Sequence, residues 1–430
     1  MSLGATAQGI DVDAVFTTID QRVTAMAAEA TAASAGSSTM YPNSYIAGDS
    51  GWTHREVGGW TTGFYPGILW KMYEQTGKSE YKTQAESWTM ALIGLESDDA
   101  VTQTYLDAFN FRPSDHDIGF VFNTAFGNAY RITGEERYKA VLNEAAERLD
   151  NRFDPSYQAI KSWDWGTWNE VVIIDNMINL ELLWDVAAEG GPSSYADHAL
   201  AHAQTTAEYH VRNDGTTYHT VEFGFPTPQA GTYQGYEDES TWARGQAWGI
   251  YGFTMAYREA ISASVSTSEA DALLDIATDL ADYFLANLPD DNVPFWDFEL
   301  FLGDPDLFDK DTSAAAITAS ALIELSQLVD DPDEEQRYFE AAEDILEALL
   351  SATYFAADAT GESRLLLHGV GAHPDAVANG QYDDETLIYG EYYLIEALQR
   401  YQAVPEPAGL LTLGLVVPVL MRRRVAPTSL

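Results

Sequence analysis

The chain has 430 residues, 46% hydrophobic and 12% aromatic, enough for a large core, although length alone does not divide it into domains. Against 22 basic residues stand 67 acidic ones, and the resulting net charge of −45 repels nucleic acid and anionic membrane surfaces at long range. Cysteine is absent, which excludes disulfide frameworks, thiolate zinc sites and thiol nucleophiles. The 11 Trp and 24 Tyr exceed what packing alone usually needs, an excess that often lines sugar or nucleotide sites.

At the start, Ala5-Thr6-Ala7 has the small-residue character of the end of a secretory cleavage site, and residues 1–11 are expected to be a disordered remnant of a signal region. Amphipathic periodicity then predicts twelve helices, at about 12–33, 63–76, 79–97, 117–132, 135–150, 174–188, 194–212, 240–260, 268–288, 312–329, 333–351 and 386–402. Strand-like alternation is short and confined to connections such as Thr216 to Phe223. His198 and His202 lie at helical i,i+4 spacing without the accompanying Glu of a metalloprotease, so they read as one helix face.

Twelve helices make six pairs, and a repeat supports the pairing. Gly63-Phe64, Tyr73, Thr76-Gly77 and Tyr81 recur as Gly119-Phe120, Tyr130, Thr133-Gly134 and Tyr138. Each unit is helix, Gly-containing turn, helix. Six such hairpins, with longer links between them, predict an all-α fold, a closed (α/α)6 barrel over residues 12–403 in which inner helices surround a funnel. An open solenoid would leave terminal repeats needing caps, whereas the apolar first and last helices suit partners that close a ring.

In such a ring the links before the inner helices gather at one end. Trp60 precedes one inner helix, Asp115-His116-Asp117 opens the next, Asp175 a third, Arg244 and Trp248 begin a fourth, Asp311-Thr312-Ser313 a fifth and Thr386 the sixth. Asp and Ser/Thr at helix starts are first of all N-caps. Asp175 departs from that reading because it follows Val171-Val172-Ile173-Ile174, an apolar setting that tends to raise a carboxyl pKa. Asp117 and Asp175, 58 positions apart on adjacent inner helices, are placed to face each other, as acid/base chemistry on a glycoside requires. Arg244 suits either the grip on an anionic ligand group or an ion pair with Glu237 or Asp238. These residues alone point to a helical toroid with a carboxylate-lined, aromatic-rich cleft acting on sugar.

Six motifs extend that reading: Gly59-Trp60-Thr61-Thr62-Gly63-Phe64-Tyr65-Pro66-Gly67, His116-Asp117-Ile118-Gly119-Phe120, Ile173-Ile174-Asp175-Asn176-Met177, Trp242-Ala243-Arg244-Gly245-Gln246-Ala247-Trp248, Asp311-Thr312-Ser313-Ala314-Ala315-Ala316 and Leu387-Ile388-Tyr389-Gly390-Glu391-Tyr392-Tyr393. Together, in order over about residues 50 to 402, they resemble glycoside hydrolase family 88, the unsaturated glucuronyl hydrolases. The resemblance implies removal of the 4,5-unsaturated uronic acid that polysaccharide lyases leave at the non-reducing end of oligosaccharides. Asp175 would take the catalytic role, protonating C4 of the vinyl ether and directing water to C5, and Asp117 would match the second essential Asp. Trp60 and Trp248 resemble rings lining the subsite of the unsaturated sugar, and His116 would contact that sugar. Gln234 and Arg244 would bind polar groups of the uronate, His219 is a looser match, and Trp163 or Trp165 would supply a further wall.

The implied reaction needs no cofactor, neither metal nor nucleotide, and no metal site is expected. Between Gly369 and Glu385 the chain reads Ala376-Val377-Ala378-Asn379-Gly380 and then Asp383-Asp384-Glu385, without a basic cluster to welcome a sulfate. Related unsaturated rhamnogalacturonyl hydrolase activity stays open, as do a non-catalytic sugar-binding module and a lyase, although neither a Tyr/His base nor a metal is signalled for the last. Finally, Val404-Pro405-Glu406-Pro407, an apolar run from Ala408 to Met421 and Arg422-Arg423-Arg424 resemble the PEP-CTERM sorting tail of exported bacterial proteins. Residues 404–430 are therefore expected to lie outside the fold, with export and transient membrane contact as the implied consequences.

Overall fold

The repeat at Thr76-Gly77 and Thr133-Gly134 is one turn used twice. Gly77 and Gly134 occupy the left-handed region at φ 67° and 69°, where a side chain is strained, and each N–H returns at 2.8 Å to the carbonyl of Tyr73 or Tyr130. The threonines donate back to Met72 and Ala129 and accept the N–H of Lys78 and Glu135. Each turn thus satisfies the end of one helix and starts the next in the opposite direction.

The computed structural model describes residues 9–35, 40–46, 48–94, 115–302, 309–357, 359–372 and 384–404. Ala5-Thr6-Ala7, Ala376 to Asp383 and the tail beyond Val404 lie outside the described residues. Among the described residues twelve α-helices follow the expected order: α1 (Val12–Ala33), α2 (Phe64–Thr76), α3 (Ser79–Ala91), α4, α5 (Glu136–Asp150), α6 (Asn176–Ala188), α7 (Ser194–Tyr209), α8 (Ala243–Ser262), α9 (Thr267–Ala286), α10 (Thr312–Ser326), α11 (Pro332–Leu349) and α12 (Ile388–Ala403). The exception to regular geometry is α4, which runs from Ile118–Phe122 through a π-helical turn, Asn123–Gly127, into Asn128–Thr133.

The even-numbered helices pack each on the next, from α2 to α12, and α12 returns to α2. The ring is therefore closed and the fold is the (α/α)6 barrel, not an open solenoid. Helices α3, α5, α7, α9 and α11 each shield the inner helix before them, while α1 is tied to α3 through Tyr81 and to α12 through Gln402. Inner helices are buried on every side, as in α10, where Thr312 to Ile323 are all buried; outer helices bury one stripe. One apolar core runs through the whole ring, from Val12 to Leu398. No helix among the described residues is long and apolar enough to cross a membrane.

Further along the inner helices an ionic network crosses the axis. Lys71 of α2 meets Glu396 of α12 at 3.0 Å, Arg400 of α12 meets Glu324 of α10 at 2.8 Å, and Arg258 of α8 joins Glu324 to Glu181 of α6. Asn123, in the π-turn of α4, donates to Glu181 at 3.1 Å. All six inner helices contribute one member or more, so the network fixes their mutual depth as well as their neighbours.

Short strands connect the helices: β1 (Met40–Pro42), β2 (Ser44–Ile46), β3 (His54–Glu56), β4 (Phe153–Asp154), β5 (Ala159–Ile160), β6 (Val171–Ile173), β7 (Thr220–Glu222), β8 (Gln229–Gly231) and β9 (Glu385–Leu387). β6, β7 and β8 form an antiparallel sheet with Ile173 opposite Thr220, and β2 pairs with β9. Three predicted helices begin two or three residues later than their apolar pattern suggests, among them α12, which starts at Ile388 because Glu385–Leu387 is drawn into β9. Val171–Ile173 is drawn into β6, so α6 starts at Asn176; Trp242 bridges to Asp297, so α8 starts at Ala243.

Candidate active site

The starts of the inner helices carry the expected side chains, but three acids there behave differently. Asp311 is a true N-cap: its carboxylate accepts the backbone N–H of Ser313 at 3.0 Å. Asp117 and Asp175 hold the same position before α4 and α6, yet neither side chain caps its helix. Both carboxyls are released from structural duty and available for other contacts.

Asp175 is buried, and burial pushes its carboxyl up to about 7 against the opposing Arg244 charge, its own backbone N–H and the Trp248 indole N–H. Such a group holds or releases a proton near neutrality. Burial also raises Asp117 well above the usual carboxylate range, aided by the charges of Asp115 and Asp175 and opposed by Arg152.

Two histidines flank this pair. His116 lies 3.5 Å from Asp117, and burial first, then Arg152, holds its imidazole neutral. His219 presents Nε2 to Asp175 Oδ2 at 3.8 Å. Its Nδ1 accepts the backbone N–H groups of Tyr233 and Gln234, both at 3.1 Å, so the ring hydrogen belongs on Nε2, and burial pushes its pKa down to about 3. The β6–β7 pairing sets this geometry, because the Ile174 N–H bonds to the His219 carbonyl at the end of the ladder.

Asn179, absent from the sequence-based candidates, joins the two helix starts. Its side chain accepts the Phe120 N–H at 2.5 Å and donates to the Asp175 carbonyl and to His116 Nδ1, both at 3.3 Å. A Cβ on Gly119 would come within 2.5 Å of the Asn179 Cα, so this close approach requires glycine. The signal lay in Asn179 sitting one turn after Asp175 on an otherwise apolar helix.

Arg244 pairs with Asp311 at 2.9 Å, not with Glu237 or Asp238 as spacing allowed. Its guanidinium is buried, donates to the carbonyls of Val370 and Gly371, and lies over the rings of Trp242 and Tyr389. Gln234 donates to the same Gly371 carbonyl at 3.2 Å, which brings the ten-residue pair Gln234 and Arg244 together. These donors hold the 370–371 backbone, and Arg244 reaches Asp175 through its charge.

The aromatic residues divide by exposure. Trp248 is fully buried against Phe120 and Tyr393. Trp60 is half-buried beside Tyr389 and Phe120. Trp163 lies 6.1 Å from His116 and carries Trp165 stacked on it at 4.8 Å, with Trp168 and Tyr233 set edge-on. Among the described residues no group of three or more His, Asp or Glu is arranged to hold a metal ion. His198 and His202 are occupied elsewhere, with Asp150 and the Ile160 N–H.

Two uncapped carboxyls, neutral histidines and an aromatic mouth sit on the scaffold of one known group of proteins: the model of Glycosyl Hydrolase Family 88 matches residues 33–389. The chain belongs to glycosyl hydrolase family 88. It is 35% identical over 351 residues to an unsaturated glucuronyl hydrolase of Formosa agariphila, covering 80% of each chain. It is 32% identical to an unsaturated chondroitin disaccharide hydrolase of Streptococcus pyogenes, covering 80% of this chain and 81% of the other. The crystal structure of an unsaturated glucuronyl hydrolase specific for heparin superposes with a TM-score of 0.77 at 35% identity, covering 90% of this chain and 97% of that one. This family 88 protein is thus a glycoside hydrolase.

Proposed function

We propose that this glycoside hydrolase releases the 4,5-unsaturated uronic acid from the non-reducing end of lyase-generated oligosaccharides, with Asp175 as acid and then base. The observation that carries the reading is the Asp175 carboxyl itself, buried, uncapped and held near a pKa of about 7. Protonated Asp175 delivers its proton to C4 of the vinyl ether, and positive charge develops at C5 and the ring oxygen. The carboxylate left behind takes a proton from water as that water bonds to C5. The resulting hemiketal opens the ring, and the hemiacetal this leaves at C1 collapses to an aldehyde, expelling the remaining sugar. One carboxyl serves both steps, so no covalent nucleophile is involved, and Asp117, uncapped and buried beside His116, holds the sugar in place.

The test follows loss of the ultraviolet absorbance of the conjugated C4=C5 bond in unsaturated disaccharides. Wild type should bleach it, and Asp175→Asn should lose about 10²- to 10⁴-fold in kcat, the range for a positioned general acid. Bleaching by Asp175→Asn at the wild-type rate would remove Asp175 from the mechanism.

A further inference from the structure

Among the described residues five large hydrophobic side chains are exposed, and four of them come from three loops around one sheet: Trp165 before β6, Phe225 between β7 and β8, and Tyr233 and Tyr236 after β8. Backbone bonds tie the first two of these loops together, with Phe223 on the Glu170 carbonyl and Gly224 on that of Asn169. Trp165 is 49% exposed although one face is covered by Trp163, stacked within 16° of parallel. Tyr233 stands against the edge of Trp165 at 5.9 Å and is 37% exposed. On so acidic a chain, two exposed rings set against one another in this way mark a binding surface.

We propose that Trp165 and Tyr233 form a distal subsite that takes an uncharged pyranose ring of the leaving oligosaccharide, beyond the sugar next to the cleaved unit. The inference rests on the proposed C4=C5 hydration and concerns the third ring of the substrate and those after it.

Continuity argues for the occupant. From Asp117 the contacts run outward through His116 to Trp163 and then to Trp165, so a chain leaving the buried carboxyls meets Trp165 after the inner wall. A pyranose offers an apolar C–H face to such a ring. Charge argues for neutrality. Asp164, between the two tryptophans, is 61% exposed at its side chain, and the nearby Arg152 and Lys161 are both paired to it, with Lys161 also held by Glu170. A sulfate or uronate carboxylate on this ring would meet Asp164 with the local cations already engaged. Tyr233 adds a link inward, since its backbone N–H is one of the donors that orient His219.

The experiment compares kcat/KM on an unsaturated disaccharide and on a tetrasaccharide sharing its first two rings and continuing in neutral hexoses. Wild type should favour the tetrasaccharide by about tenfold, the equivalent of about 1.4 kcal/mol, and Trp165→Ala and Tyr233→Ala should bring that ratio towards one. A purely structural role would lower both rates and leave the ratio intact. A sulfate on the third ring should abolish the preference. Calorimetric binding of the saturated neutral trisaccharide, weakened in Trp165→Ala, reads the same surface without turnover. A wild-type ratio of one, or a ratio unmoved in both variants, overturns the subsite while leaving the reaction standing. Binding that persists with no bleaching of either substrate would instead overturn the reaction and leave the subsite.

Discussion

His219 Nε2 faces Asp175 Oδ2 at 3.8 Å, and neither atom has a hydrogen-bond partner among the described residues. With Nδ1 engaged by two backbone N–H groups, the ring turns an N–H dipole towards the carboxyl. That dipole favours the charged form of Asp175 and so opposes burial. Replacing His219 with Ala should raise the Asp175 pKa by roughly one unit, about half of what a hydrogen bond to a charged group contributes. The measurement is the alkaline limb of kcat/KM against pH, which should move upwards in the variant. An unmoved limb would mean that His219 contributes only to packing.

The wild-type profile depends on the same group. In the proposed reaction, delivery of a proton to C4 requires Asp175 protonated, and burial pushes that carboxyl up to about 7. The reaction should therefore be at full rate in mild acid and decline above about pH 7, by about tenfold for each further unit. Asp175→Glu should shift that decline, whereas substitution of Asp331, the exposed N-cap of the outer helix α11, should not.

The fold was legible because helices of a toroid write themselves locally. Apolar periodicity gives each element, and Thr-Gly at 76–77 and 133–134 gives each of those reversals. Sequence could not show which distant residues meet across the ring. Arg244 had acids seven and six positions before it, yet its partner is Asp311, 67 positions later, because α8 and α10 are neighbours in the inner ring. The ionic network was invisible for the same reason: Lys71 and Glu396 have no local pattern in common. Asp117 and Asp175 stood out as acids at helix starts, but only the structure shows that their side chains leave the helix ends uncapped. Trp248 reads as a sugar-facing ring by motif, while its complete burial places it under Asp175. The π-turn at Asn123–Gly127 has no signature in apolar periodicity, which continues through it.

Gly119 sets the spacing of the two carboxyls. A methyl group there would come within 2.5 Å of both the Asn179 Cα and its Oδ1. Backbone cannot yield as a side-chain end can, so α4 and α6 must separate. Gly119→Ala should cost about 1–3 kcal/mol of stability, the usual penalty of overpacking, and reduce kcat more than it raises KM because Asp117 and Asp175 move apart. Urea unfolding and steady-state kinetics check the two halves. Gly77→Ala offers the contrast: it strains a turn with no atom within 4 Å of its Cβ, and should affect stability alone.

The network across the barrel axis makes a separate prediction. Glu396 accepts from Lys71, Tyr251 and Ser320, and although burial alone would raise its pKa, Lys71 and Arg400 hold it below the ordinary carboxylate value. A depressed folded pKa means that the stability this group contributes is present above about pH 4.5 and disappears as pH falls through the folded value. Removing one partner is worse than removing a pair, since the remaining charge stays buried. Glu396→Gln should cost about 3–5 kcal/mol at pH 7, with Lys71→Met restoring part of that loss when the two are combined. Urea titrations of both single variants and the double variant, at pH 7 and again at pH 4, decide it. Strict additivity of the two losses at pH 7 would show that Lys71 and Glu396 do not stabilise one another, and that this ion pair does not fix the depth of α2 against α12.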